Sequence, residues 1–131
     1  MREILFRGKA INRDEGYHRT EYKNGDWVYG LLTQPYNERY DLPAEMTNTL
    51  GVIGIEVDYE TIGQYTGVED ESGTMIFEGD ILRDDDAEEN GVVVFKESEF
   101  CVVFDNVITH GISDSCYIRG NIHDNPELME G

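Results

Sequence analysis

Gly91-Val92-Val93-Val94-Phe95-Lys96 and Phe100-Cys101-Val102-Val103-Phe104 are two short apolar runs rich in β-branched and aromatic side chains. Such runs read as strands. Lys96-Glu97-Ser98-Glu99 joins them over a distance that suits a hairpin. No stretch of the chain shows sustained helical periodicity, so this hairpin sets the class: mainly β.

Working outward, residues 74–77 read as a short strand, Glu78-Gly79-Asp80 as a break, and residues 81–83 as the strand resuming. Residues 107–112 and 116–122 add weaker strands. Asn125-Pro126-Glu127-Leu128-Met129 has a cap residue and then Pro at the first helical position, which predicts one terminal helical turn. The strand count and spacing give the C-terminal half as a small antiparallel β-barrel of SH3-like kind. Upstream, residues 2–7, 27–33 and 52–57 read as strands, with residues 17–22 a hairpin partner for the second. Asn24-Gly25 predicts a type I′ turn, and Asn90-Gly91 a second Asn-Gly turn. Residues 34–50 read as a loop with one helical turn near 44–47. The chain thus divides into a more irregular β-rich region, 1–68, and a small barrel, 69–131, as two parts or one compact unit.

Charge narrows the partners. The 131 residues carry 28 acids against 10 basic side chains, a formal net charge of −18. Residues 1–65 hold 11 acids and 7 bases, net −4; residues 66–131 hold 17 and 3, net −14. Such a chain repels phosphate backbones and anionic membranes, so neither nucleic acid nor membrane is an expected direct partner. With no long apolar segment and no leader at Met1–Arg7, the expected location is the cytoplasm.

Catalytic motifs are sparse. There is no phosphate loop, dinucleotide fingerprint or nucleophile elbow, and no cofactor is expected. His18, His110 and His123 stand far apart, and Cys101 and Cys116 form no CxxC pair. The two cysteines read as reduced core residues; a Cys–His pair built from them with His110 or His123 needs proximity in space. Glu78 and Asp80 flank Gly79, where a hydrogen-bonded turn competes with a metal or acid–base pair. Asp86, Glu88, Asn90, Gly91 and Glu97 fall at positions 1, 3, 5, 6 and 12 of a calcium-loop spacing. That motif needs flanking helices, whereas residues 91–96 read as strand, so a solvated acidic turn is the plainer reading. Seven of the eight tyrosines and Trp27 lie in residues 1–65, a composition typical of protein interfaces.

Three segments together resemble the YopX family of bacteriophages and prophages. The opening Arg2-Glu3-Ile4-Leu5-Phe6-Arg7 is similar to the family's start. The centre runs Thr61-Ile62-Gly63-Gln64-Tyr65-Thr66-Gly67-Val68-Glu69-Asp70, then Gly73-Thr74-Met75-Ile76-Phe77-Glu78-Gly79-Asp80-Ile81-Leu82. The close is Gly120-Asn121-Ile122-His123-Asp124-Asn125-Pro126-Glu127-Leu128. The resemblance implies a phage-type protein of the bacterial cytoplasm, a homo-oligomer or a partner of a host or phage protein, with no catalytic residue to carry over. Its motif residues read as fold-defining: Gly63, Gly67, Gly73 and Gly79 for turns of unusual φ, Asp80 as a turn cap. Function is therefore expected through protein–protein contact or self-assembly. The alternatives are an acidic mimic of nucleic acid that blocks a host nuclease, and a metal-binding module or metal-dependent enzyme.

Overall fold

The computed structural model describes residues 5–12, 22–84, 88–105, 107–113 and 115–130. All its regular elements are strands except one four-residue 3-10 helix, η1 (Pro126–Met129). The strands are β1 (Phe6–Ala10), β2 (Trp27–Gln34), β3 (Ala44–Asn48), β4 (Ile55–Glu69), β5 (Met75–Phe77), β6 (Asp80–Asp84), β7 (Glu89–Lys96), β8 (Glu99–Val103), β9 (Ile108–His110) and β10 (Tyr117–Asn121). Two compact units divide the chain, Ile4–Gln64 and Tyr65–Gly131.

In the N-terminal unit β1, β2, β3 and β4 pair antiparallel in that order, and β4 also pairs with β1, closing a ring. Val57 shows the closure: it faces Ala44 on one side and Ala10 on the other. The core of the ring is non-aromatic: Ala10, Val28, Ala44, Met46, Ile55 and Val57. Space is tight enough that a Cβ on Gly30 would lie 1.9 Å from the Thr47 carbonyl oxygen. The β1–β4 ladder breaks between Arg7 and Lys9. Thr61 bridges the break, its hydroxyl accepting from Lys9 N at 2.8 Å and donating to Asp58 O at 2.6 Å.

Residues 44–47, read from sequence as a helical turn, lie in β3. Ala44, Met46 and Asn48 are buried while Glu45 and Thr47 are half-exposed, a period of two, and β2 and β4 satisfy the backbone on both sides. The turn at Asn24-Gly25 forms, with Gly25 at φ +92°, but Asn24 keeps an ordinary φ, so it is not the type I′ turn expected. Asn24 Oδ1 instead accepts from Asn12 N at 3.1 Å. Residues 17–21, the expected hairpin partner, lie outside the described residues, and β2 pairs with β1 and β3.

In the C-terminal unit the sheet order is β10-β6-β7-β8-β9. No β9–β10 pairing occurs among the described residues, so this sheet is open. Ring closure thus falls in the N-terminal unit rather than in the C-terminal half where the sequence places a barrel. The open sheet packs a bulkier core of Ile76, Leu82, Val93, Phe100, Val102, Phe104 and Cys116. The β7–β8 hairpin turns through Glu97 and Ser98, both at positive φ (53° and 69°), the backbone of a type I′ turn built without Asn or Gly. Asn90-Gly91, expected as a turn, lies inside β7 opposite Arg83 and Leu82. Gly91 serves packing: a Cβ there would come within 2.6 Å of Val102 Cγ1 and 2.9 Å of the Phe104 ring.

Candidate functional site

The motif residues build turns. Tyr65 on β4 faces Phe77 on β5, their ring centroids 5.6 Å apart. The Thr66 hydroxyl donates to Ile76 O at 2.8 Å and accepts from Val68 N at 3.1 Å, holding the backbone where Gly67 adopts φ +86°. Gly73 (φ +87°) and Gly79 (φ +93°) likewise need their conformational freedom. Gly63 does not: it sits in β4 opposite Arg7 without positive φ, beside Gln64 opposite Phe6. Asp80 is buried and its carboxylate accepts from Phe77 N at 2.8 Å, closing the turn over half-buried Glu78. Asp80 therefore serves the backbone.

Asp70 is a heavily bonded carboxylate of the same motif. Oδ1 accepts from Ser72 N (2.9 Å), Ser72 Oγ (2.8 Å) and Thr74 N (2.9 Å), and Oδ2 from Ile118 N (3.1 Å). Burial pushes its pKa up, but the donors from Thr74, Ser72 and Ile118 outweigh burial and hold the carboxyl below its ordinary value. The closing motif is a second such lock. Asn121 Oδ1 accepts from His123 N and Asp124 N, and Asn125 Oδ1 accepts from Asn121 N at 3.2 Å. Gly120 is required because a Cβ would strike Asn125 Oδ1 at 2.4 Å. Asn125 thus faces back toward the chain and makes no side-chain cap to η1, although Pro126 opens that helix as the sequence predicts.

The calcium-loop residues are not brought together. Glu88 precedes β7 and Glu97 follows it, so an eight-residue strand separates them, about 25 Å at the usual rise. Asn90 lies in β7 with its amide donating to Leu128 O at 3.0 Å, and Asp86 lies outside the described residues.

A different set does converge. Glu99 and Cys101 are two apart on β8 and so share a face. His110 on β9 is the register partner of Cys101. The Cys101 sulfur lies 3.6 Å from Glu99 Oε1 and 4.0 Å from His110 Nδ1, and His110 Nδ1 is in hydrogen-bonding contact with Glu99 Oε1. Cys101 is only 2% exposed, whereas the His110 and Glu99 side chains are 75% and 47% exposed. Burial first, and then the Glu99 carboxylate, push the thiol pKa up. The hydrogen bond from His110 draws Glu99 below its ordinary value. A thiol whose pKa is raised beside a carboxylate makes a poor nucleophile, which argues against reading Cys101 and His110 as a catalytic pair. Cys116 is elsewhere, in the apolar core, and both cysteines are free. Sequence spacing carried no signal for this set, because the strand register creates it.

The outer surface of the N-terminal unit is a second feature. Tyr29 and Leu31 project from β2, and Leu50 (89% exposed) and Ile53 (77%) stand on the turn after β3. Thr49 N donates to Tyr29 O at 3.1 Å, which joins that turn to β2. Farther along, Tyr36 and Tyr59 stack with centroids 4.2 Å apart and line a cleft of about 500 Å3 with Ile11, Asp41, Pro43 and Glu56. The described residues include no helix long and apolar enough to cross a membrane.

The YopX protein profile matches residues 19–130. The chain belongs to the YopX family. This YopX protein is also similar in fold to the crystal structure of protein EF1440 from Enterococcus faecalis, with a TM-score of 0.56 at 19% identity over 99% of this chain and all of that one. No curated protein matches it.

Proposed function

We propose that this YopX protein is a phage-type accessory protein of the bacterial cytoplasm that works by self-association through the outer surface of its N-terminal unit. The observation that carries this reading is the uneven distribution of exposed apolar side chains. Among the described residues, nine of the large ones lie within residues 4–64, including Leu31, Tyr40, Leu50, Ile53 and Tyr59, against four in residues 65–131. Burying a side chain such as Leu50 or Ile53 contributes about 1.5–3 kcal/mol. Exposed tyrosines add area at low entropic cost. A second copy is the fitting occupant because residues 1–65 carry only −4 of the −18 charge, so copies meeting there bring the least like charge together.

Sedimentation of the full chain tests this at low and high salt. We expect a dimer or larger species that tightens as salt screens repulsion between acidic copies, and a monomer for the double variant Leu50→Ser, Ile53→Ser. A wild-type monomer at every concentration and salt sinks the reading. An acidic mimic held by charge to a basic host protein has the opposite dependence, its complex weakening as salt rises.

A further inference from the structure

We propose that Glu99, Cys101 and His110 form a site for one divalent transition-metal ion of the zinc class, bound by Cys101 Sγ, His110 Nδ1 and a Glu99 carboxylate oxygen with the fourth position open.

The donor set is the first ground. Thiolate, imidazole and carboxylate together suit zinc, cobalt or a similar ion, while calcium and magnesium take oxygen alone. Geometry is the second. Bonds of about 2.0–2.3 Å in a tetrahedron place neighbouring ligand atoms about 3.3–3.6 Å apart. The sulfur stands 3.6 Å from the carboxylate oxygen and 4.0 Å from the imidazole nitrogen. The three ligand atoms all lie within 4.8 Å of one another. The His110–Glu99 contact has to open and the sulfur–imidazole distance has to close slightly, and the His110 and Glu99 side chains are 75% and 47% exposed. The third ground is the scaffold. Two of the ligands share β8 and the third is fixed opposite by the pairing of Cys101 with His110, so the backbone spacing is set before any ion arrives. A buried sulfur beneath two exposed ligands leaves one side of the ion toward solvent, where a water or a donor from a partner can take the fourth position.

The step balances simply. The ion forms a bond to sulfur as the Cys101 S–H proton leaves to solvent, and His110 binds as neutral imidazole through Nδ1 while its other nitrogen keeps the proton. No oxidant or reductant is involved.

The test uses the full, untagged, chelator-treated protein, titrated with zinc by calorimetry and with cobalt by absorption. One equivalent of zinc is expected at micromolar or tighter affinity, with a rise in thermal midpoint. Cobalt is expected to give a thiolate charge-transfer band that excess calcium or magnesium leaves in place. His110→Ala, at an exposed position, should weaken zinc by about tenfold or more. Cys101→Ser should abolish the band, and Cys116→Ser should keep it. Absence of the band in the wild type overturns the proposal, as does a zinc affinity unchanged in His110→Ala, whichever way Cys101→Ser folds. Binding without the band would place the ion on the acidic surface instead.

Discussion

The two units solve the same problem, burying one face of an antiparallel sheet, in opposite ways. The N-terminal ring gives strands β1 to β4 a hydrogen-bonded neighbour on both sides, and its buried core is non-aromatic, from Ala10 and Ala44 to Met46. The C-terminal sheet stays open and fills its core with larger groups, Phe100 and Phe104 among them. The surfaces reverse the order: the ring carries exposed tyrosine and leucine, while residues 66–131 carry most of the acids. Closure satisfies the backbone and leaves outward side chains free to vary, whereas an open sheet depends on its inward ones.

The sharpest way to break this contrast is at two glycines. Gly30→Ala pushes a Cβ onto the Thr47 backbone, which cannot give without parting β2 from β3. Gly91→Ala meets first the Val102 and Phe104 side chains, which can shift. Urea unfolding should show a loss of about 3 kcal/mol for Gly30→Ala and about 1–2 kcal/mol for Gly91→Ala. Equal losses would mean that the ring is no tighter than the open sheet.

Asp70→Ala probes the turn lock of the C-terminal unit. It leaves the Ser72, Thr74 and Ile118 amides without their carboxylate acceptor and should cost about 2 kcal/mol. The native carboxyl binds its proton less readily than the unfolded one, whose value is near 3.8. Its stabilisation is therefore complete above that value and is lost as pH falls below it. The gap between wild type and variant should narrow in acid; a gap of the same size at every pH would remove Asp70's charge as the cause.

The smallest effect belongs to the hairpin. Ser98 occupies a left-handed backbone, φ 69°, that costs a non-glycine residue about 1 kcal/mol. Ser98→Gly should raise the urea midpoint by a corresponding amount, and a lowered midpoint would show that Ser98 makes a contact worth more than the strain.

Most strands could be read locally. Residues 91–96 and 100–104 announced β7 and β8 because β-branched and aromatic runs bounded by polar turns have few other uses. Gly73 and Glu78 to Asp80 announced turns through glycine and a short acceptor side chain. Where local rules competed with packing, packing decided. Ala44 to Thr47 has respectable helix propensity, yet two neighbouring strands claim its backbone. Asn90-Gly91 has turn chemistry, yet the Phe104 ring needs the space above Gly91.

By itself, then, the sequence determined the β class, the acidic imbalance and the family motif, because these reside in residue identity and near-neighbour spacing. Only the tertiary structure decided which sheet closes and which thiol meets which imidazole. Cys101 and His110 are nine positions apart with nothing in their spacing to join them, and it is the register of β8 against β9 that sets them side by side with Glu99.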